Sequence, residues 1–210
     1  MRHIKAYNKE EYDTQNQSFI IEGPLTEKEL EQFTYDDGLD AFRRPAEQFD
    51  ALKEIAELEE GMIIIARLKD HILGYVTFHH PDPMERWSDG NLPYIMELGA
   101  VEVTLRYRGF GLGKQMLKHA MKDSFMENYI ILTTEYYWHW DLKNSGLDVY
   151  EYKKLMIDFM ASSGFEVFQT NDPEITGHPA NTLMARIGKN ITNDQMMEFD
   201  KLRFKNRFFF

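Results

Sequence analysis

The chain has 210 residues, and 43% of them are apolar, which is enough for one domain with a hydrophobic core and excludes an intrinsically disordered protein. Its 24 basic and 35 acidic residues give a net charge of -11, so the basic surface that non-specific nucleic-acid binding requires is missing. The absence of cysteine excludes disulfides, thiolate metal sites and a cysteine nucleophile.

The first half of the chain predicts mostly strands. In chain order we expect a strand at 18–25, a helix at 45–58, strands at 62–68 and 71–78, a polar loop at 81–91 and a strand at 94–103. Pro45 suits the first turn of the helix. Lys69 and Asp70, between two strands, predict a β-hairpin turn.

The second half alternates helices and strands. In chain order we expect a helix at 111–121, a strand at 129–138, a helix at 149–164, strands at 165–170 and 182–188, and a helix at 194–204. The whole order predicts an α/β (α+β) fold, with a mixed central sheet flanked by helices. We expect a single domain over 1–210, with an N-terminal extension over about 1–17 and a C-terminal helical tail over about 192–210.

No stretch of the chain predicts a membrane segment. The start, MRHIKAYNKEEYDTQ, lacks the apolar core of a signal peptide, and runs such as MIIIA are far shorter than a membrane span. The sequence therefore predicts a cytoplasmic protein.

The stretch RYRGFGLGK, residues 106–114, places three glycines where a predicted strand gives way to a helix. Free N–H groups and the positive end of the helix dipole meet at such a point, and they favour an anion such as phosphate. Glycine lets the backbone approach a ligand closely and take positive φ. The stretch therefore predicts a phosphate-binding turn.

Two common phosphate-binding patterns do not fit this turn. The P-loop pattern would need glycine at Arg108 and Ser or Thr at Gln115. The dinucleotide pattern would need glycine at Lys114 or Met116. The pattern R-x-x-G-x-G fits twice, at Arg106, Gly109 and Gly111 and at Arg108, Gly111 and Gly113.

That pattern resembles the acyl-CoA signature of the GNAT acetyltransferase superfamily, and ASSGFEVF (161–168) resembles its Gly-Phe region. The resemblance implies acetyl-CoA as co-substrate. His79 and His80 have no third ligand in view, so we expect no metal. It implies that turn amides hold the pyrophosphate and that a strand backbone pairs with the pantetheine arm. The implied coenzyme A-binding residues are Val101, Val103, Arg106, Arg108, Gly109, Phe110, Gly111, Leu112, Gly113 and Lys114.

Longer blocks resemble a narrower family, the acetoin-utilisation acetyltransferases. They are AFRRP (41–45), IIIAR (63–67), GYVTFHHPDPMERWSDGN (74–91), MENYIILTTEYYWHWDLK (126–143) and HPANTLMARIGKN (178–190). This resemblance implies a protein lysine N-acetyltransferase that acetylates and inactivates acetyl-CoA synthetase. A small-amine acetyltransferase and a non-catalytic acyl-CoA sensor stay open as alternatives, and so does a homodimer.

Acetylation of lysine needs a base, because the free amine has a pKa of about 10.4 and is mostly protonated at neutral pH. Glu135 and Glu97 each lie in an otherwise apolar predicted strand, where a carboxylate is either paired or functional. The superfamily resemblance implies a glutamate base on either strand, and Glu135 is our first choice. Glu102 lies on the same strand as Glu97 but points the other way, so we expect it to be structural or at the surface.

The acid that protonates the leaving thiolate is not evident. Phe159 and Met160 occupy the region where the superfamily often has a tyrosine. Trp138, His139 and Trp140 form either an aromatic wall for the incoming lysine or a packed loop. Tyrosines that could replace the missing acid are Tyr136, Tyr137, Tyr150 and Tyr152.

Overall fold

The computed structural model describes residues 3–15 and 17–205. It organises the chain as two compact units, Met1–His80 with Glu97–Met126 and Pro81–Met96 with Glu127–Phe210. Both units combine strands with helices, which confirms the α/β (α+β) class. The single-domain assignment stays a prediction, and the last part of the predicted tail, 206–210, lies outside the described residues.

The first unit is a mixed sheet with helices. Its elements in chain order are β1 (Asn8–Asp13), β2 (Ser18–Gly23), α1 (Glu27–Leu30), β3 (Thr34–Tyr35), α2 (Pro45–Glu57), β4 (Met62–Leu68), β5 (His71–His79), β6 (Ile95–Val103) and α3 (Leu112–Ala120). Strand β6 belongs to this unit from Glu97 onward. The strand order is β1-β2-β4-β5-β6 with antiparallel pairing, and β3 runs parallel to β5.

The two longer helices of this unit cover opposite faces of the sheet. Leu52 of α2 packs in a buried cluster with Ile63 and Ile65 of β4. Because successive residues of a strand point to opposite faces, Ile64 faces the other way, where it borders a small cavity with Ala120 of α3. The expected arrangement of a sheet flanked by helices is therefore confirmed within this unit.

Strand β1 was not predicted, because its sequence NKEEYD has no apolar alternation. It pairs antiparallel with β2 along its whole length, so the expected N-terminal extension contains an edge strand. Charged residues on an edge strand discourage pairing with other chains. Glu10 also accepts a hydrogen bond from His119 Nδ1 at 2.8 Å and forms an ion pair with Lys122, both near the end of α3.

The second unit is an antiparallel sheet of three strands with helices. Its elements in chain order are β7 (Ile130–Glu135), α4 (Leu142–Ser145), α5 (Val149–Ala161), β8 (Glu166–Phe168), α6 (Pro173–Thr176), β9 (Thr182–Ile187) and α7 (Asn193–Arg203). The strand order is β7-β9-β8. The core of this unit joins Leu132 and Leu183 of the sheet to Phe199 of α7 and to Trp87, from the predicted loop 81–91.

The strand predicted over 129–138 ends at Glu135, so the prediction was wrong for its last three residues. Glu135 pairs with Thr182, the first residue of β9, so the ladder between β7 and β9 ends at this pair. The side-chain carbonyl of Asn181 accepts the Tyr137 N–H at 3.1 Å instead, and Tyr137–His139 forms a 3₁₀ turn. The aromatic run thus begins where the ladder stops.

Most other predicted elements are confirmed to within three residues at each end. The elements that the sequence did not predict, apart from β1, are one-turn helices or a two-residue strand: α1, β3, α4 and α6. No helix in the described part of the chain is long and apolar enough to cross a membrane.

Candidate active-site residues

The glycine turn lies between β6 and α3, as predicted. Gly109 and Gly111 have φ angles of 86° and 80°, a region that glycine adopts without strain. Gly111 is the N-cap of α3, and its carbonyl accepts the first helical hydrogen bond, from Gln115 N–H at 3.1 Å. The backbone N–H groups of 109–114 donate to no other residue in the part of the chain that the structure describes. This row of amides therefore remains available to a ligand.

The protein holds the turn through Phe110 rather than through these amides. The Tyr12 hydroxyl donates to the Phe110 carbonyl at 3.0 Å, and the Phe110 ring packs edge-on against Phe19 at 5.7 Å. A Cβ on Gly109 would meet no heavy atom within 4 Å, so the turn faces open space there. Unpaired amides at a helix start, on an open side of the turn, fit a diphosphate group.

Both arginines of the repeated pattern also contact the protein. The Arg106 guanidinium forms an ion pair with Asp36 at 2.5 Å, although its side chain is 71% exposed. Arg108 Nε donates to the Val103 carbonyl at 3.2 Å. Leu112 and Gly113 are buried in the first turn of α3, and Lys114 is exposed.

Asp36 connects the start of the turn to the sheet. Its buried carboxylate accepts hydrogen bonds from Gly38 N–H at 2.9 Å, from the Thr104 hydroxyl at 3.0 Å and from His71 Nε2 at 2.8 Å, besides Arg106. Burial alone would raise the pKa of Asp36, but these donors outweigh it and hold the pKa below its usual value. The carboxylate is therefore a fixed anchor for Arg106.

Strand β6 carries a bulge between the predicted base Glu97 and the predicted pantetheine-binding valines. Thr77 of β5 pairs with Ala100 and Phe78 pairs with Leu98, so Gly99 is the extra residue. Val101 and Val103 lie beyond the bulge and are partly buried. A bulge leaves one residue outside the ladder and redirects the strand. Glu97 precedes it, opposite His79, and is partly buried.

Glu135 ends β7 in the second unit and is partly buried. Its Oε2 accepts a hydrogen bond from Trp140 Nε1 at 3.3 Å, and its Oε1 accepts one from the Thr133 hydroxyl at 3.5 Å. No cationic side chain pairs with it among the described residues. Burial raises the pKa of Glu135, and the two donors lower it only in part. A raised pKa makes this carboxylate a stronger proton acceptor than an ordinary glutamate.

The aromatic run after Glu135 divides into an exposed and a packed part. Trp138 is 54% exposed, and its ring stacks on Tyr136 with the centroids 4.6 Å apart. The Trp140 ring stacks on Tyr152 of α5 at 5.3 Å. The Tyr136 hydroxyl donates to Glu174 Oε2 at 3.1 Å, and burial raises its pKa. The packed-loop alternative is therefore confirmed for Trp140, whereas a wall for the incoming lysine stays a prediction.

Glu102 agrees with its predicted structural role. Its carboxylate is buried, and it accepts the Tyr75 hydroxyl at 2.5 Å and the Ala41 N–H at 2.8 Å. Sequence reasoning did not find two residues that support the turn, Asp36 and Tyr12. Asp36 lies in the polar loop YDDG and Tyr12 in a charged edge strand, so neither had a pattern that could reveal its contacts.

The chain belongs to the acetyltransferase (GNAT) family, whose model matches residues 25–139, and acetyl transfer is therefore its class of reaction. Two relatives, each named acetoin utilization protein AcuA, come from Bacillus licheniformis and Bacillus subtilis. They are 51% and 50% identical to it over 210 residues, which is 100% of this chain and 100% of each relative. The crystal structure of an acetoin utilization protein from Exiguobacterium sibiricum is 54% identical, with a TM-score of 0.95 over 98% of both chains. These findings confirm both resemblances that the sequence predicted.

Proposed function

We propose that this chain transfers the acetyl group of acetyl-CoA to a lysine amine of a protein, with Glu135 as the general base. The observation that carries the proposal is the state of Glu135, a partly buried carboxylate with a raised pKa and only neutral donors. The acetoin-utilisation names of the relatives support acetyl-CoA synthetase as the protein acted on. Acetylation of a catalytic lysine removes its charge and would inactivate that enzyme.

The first unit would hold the co-substrate. We assign the pyrophosphate to the amides of the turn, from Gly109 to Lys114, and the adjacent positive charge to Arg106 and Arg108. The backbone of Val101 and Val103, past the bulge, would pair with the pantetheine arm as an added strand. Bound acetyl-CoA supplies a thioester, whose carbonyl carbon an amine attacks and whose sulfur leaves.

Glu135 would prepare the amine for this attack. The ammonium group of the acceptor lysine first loses one proton to the carboxylate, which passes it on to solvent. As the N–C bond forms and the C–S bond breaks, the nitrogen loses a second proton, and the sulfur leaves as a thiol. A base works best when its pKa lies near the operating pH, so the raised pKa of Glu135 suits this role.

Incubation of acetyl-CoA synthetase with this protein and acetyl-CoA tests the proposed substrate. We expect the synthetase to lose activity and peptide mass spectrometry to show one acetylated lysine. The matched control is the Glu135→Gln variant, which should leave the synthetase active. An unmodified synthetase together with rapid acetylation of polyamines would favour a small-amine acetyltransferase. Binding of acetyl-CoA without transfer to any amine would favour a sensor.

A pair of substitutions at Gly109 tests the turn. Asn and Asp have the same shape and both tolerate positive φ, but only Asp adds a negative charge next to the proposed diphosphate. Calorimetry should show that Gly109→Asp weakens acetyl-CoA binding at least about tenfold more than Gly109→Asn does. Circular dichroism must show that both variants are folded. Equal affinities would place the phosphates elsewhere.

A further inference from the structure

The chain returns to Glu135 five residues after β7 ends. The 3₁₀ turn Tyr137–His139 reverses its direction, and Trp140 N–H donates to the Tyr137 carbonyl at 3.3 Å. The Trp140 carbonyl in turn accepts Leu142 N–H at 2.9 Å. The backbone on both sides of Trp140 is therefore fixed, and its indole N–H lies 3.3 Å from Glu135 Oε2.

A second element holds the indole ring in place. Tyr152 of α5 stacks on it, with ring centroids 5.3 Å apart and an angle of 21° between the planes. The backbone of Tyr152 is fixed at the start of α5. Its N–H donates to the Asp148 carbonyl at 2.9 Å, and Asp148 forms a capping box with Glu151. A chain of contacts thus runs from the cap of α5 through Tyr152 and Trp140 to the carboxylate.

We propose that Trp140 is the positioning residue of the general base: its indole N–H fixes one carboxylate oxygen of Glu135, and Tyr152 holds the indole by stacking. The inference rests on the proposed function, in which Glu135 accepts the lysine proton. With Oε2 bound to the indole, Oε1 is left as the oxygen that receives the proton. The Thr133 hydroxyl, at 3.5 Å, is a weak competitor for Oε1.

The chemistry of indole suits this task better than that of a cation. Indole donates one hydrogen bond, carries no charge and cannot accept a proton from the acid. A lysine or arginine at the same place would hold the carboxylate ionised and lower its pKa strongly, which would make it a poor base. Lys153, next to Tyr152 on α5, instead donates to the carbonyl groups of Pro179 and Asn181.

The titration of Glu135 should depend on this contact. Among the described residues, the groups that act on its pKa besides burial are the Trp140 indole and the Thr133 hydroxyl, and no charged side chain contributes. Both donors favour the ionised form. Removal of the indole N–H therefore takes away one of the two groups that counteract the effect of burial, and the pKa of Glu135 rises further.

Trp140→Phe is the direct test, because phenylalanine can still stack on Tyr152 but has no N–H. We expect the acidic limb of kcat/KM to move to higher pH and kcat at neutral pH to fall about tenfold, with recovery at higher pH. The KM for acetyl-CoA should stay unchanged. An acidic limb identical to that of the unmodified protein would overturn the inference.

A second pair of variants tests the stacking and does not depend on the stability of Trp140→Phe. Tyr152→Leu removes the stacked ring and should shift the acidic limb in the same direction. Tyr152→Phe keeps the ring and should have the same pH profile of kcat/KM as the unmodified protein. Equal profiles for these two variants would overturn the role of Tyr152, and with it the fixed indole.

Glu135→Gln, measured in parallel, tests the role of Glu135 as the base separately from the role of Trp140. If this variant keeps the full kcat, the base assigned under the proposed function is wrong. If it loses its rate while Trp140→Phe keeps an unchanged acidic limb, the base is right and the inference about Trp140 is overturned.

Discussion

Glu102 and Glu135 are both carboxylates on sheet strands, one in each unit, and burial raises the pKa of both. Glu102 is 4% exposed and accepts two short hydrogen bonds, at 2.5 and 2.8 Å. Glu135 is only partly buried, and its donors lie at 3.3 and 3.5 Å. A raised pKa alone therefore does not identify a base. A carboxylate whose hydrogen bonds are weak and come only from neutral donors is needed as well.

The largest effect that follows from this difference is on catalysis. Glu135→Gln keeps the shape of the side chain and removes the proton acceptor, so kcat should fall about 10²–10⁴-fold with little change in acetyl-CoA affinity. The rate should recover in part at high pH, where more acceptor lysine is already neutral. Steady-state kinetics with Glu97→Gln provide the comparison. If kcat falls strongly only in the Glu97 variant, the base lies on β6 instead.

The next effect is on the anchored carboxylate of the turn. Asp36→Asn weakens the bonds to Arg106 and His71, so the free energy of unfolding should fall by about 1–3 kcal/mol and the KM for acetyl-CoA should rise. The folded-state pKa of Asp36 is lowered, so its contribution to stability is present above the unfolded pKa and is lost as pH falls through the folded pKa. Denaturant titrations at acidic and neutral pH should show the two proteins converging in acid.

Glu102→Gln should give the reverse of the Glu135 result. Glutamine can serve only one of the two donors as well as the carboxylate does, which leaves a buried polar group poorly paired and costs about 1–3 kcal/mol of stability. The kcat of the folded protein should stay within a few-fold of its original value. A large loss of kcat with unchanged stability would mean that the two carboxylates have been assigned the wrong way round.

A smaller effect is expected on the stability of the Glu135 variant itself. Because the folded-state pKa of Glu135 is raised, the folded protein holds this proton more firmly than the unfolded chain, and stability is lost as pH rises through that pKa. Glutamine does not ionise, so this loss of stability is absent in Glu135→Gln. The free energy of unfolding of the variant should exceed that of the unmodified protein by about 0.5–2 kcal/mol at alkaline pH, and the two should be equal in acid. Thermal unfolding at two pH values measures it, and a less stable variant would contradict it.

The smallest effect concerns the contact of β1 with the turn. Tyr12→Phe removes one hydrogen bond to the Phe110 carbonyl and keeps the ring, so stability should fall by about 0.5–1.5 kcal/mol. The affinity for acetyl-CoA should fall slightly, while the pH profile that depends on Glu135 stays unchanged. A shift of that profile would show that the turn and the base are not independent.

The sequence predicted those parts of the molecule whose signal is local. The turn at 106–114 was recognisable because glycines, arginines and a helix start occur together, and β4 and β5 because apolar runs flank Lys69, whose φ is 54°. Strand β1 was not predicted, since its order comes from pairing with β2 and not from its own polar residues. The end of β7 was predicted too late, because β-propensity continues through Tyr137 while the ladder with β9 ends at Glu135.

The candidate site was predictable to the same extent. Glu135 was identified as an acid in an apolar strand, but Trp140 contacts it only because a 3₁₀ turn intervenes, and no residue pattern specifies that turn. Asp36 contacts Arg106 across 70 positions of the chain, and such a distant pair leaves no periodic trace.

Strand β1 contacts both ends of α3. The Tyr12 hydroxyl donates to the Phe110 carbonyl just before the helix, and Glu10 and the Asn8 carbonyl contact His119 near its end. A nine-residue helix is about 13 Å long, and Asn8 and Tyr12, four residues apart on an extended strand, are separated by about the same distance. Strand β1 therefore stabilises α3, the helix that follows the turn, along its length. For protein engineering this means that a trimmed version should keep β1 intact, from Asn8 onward.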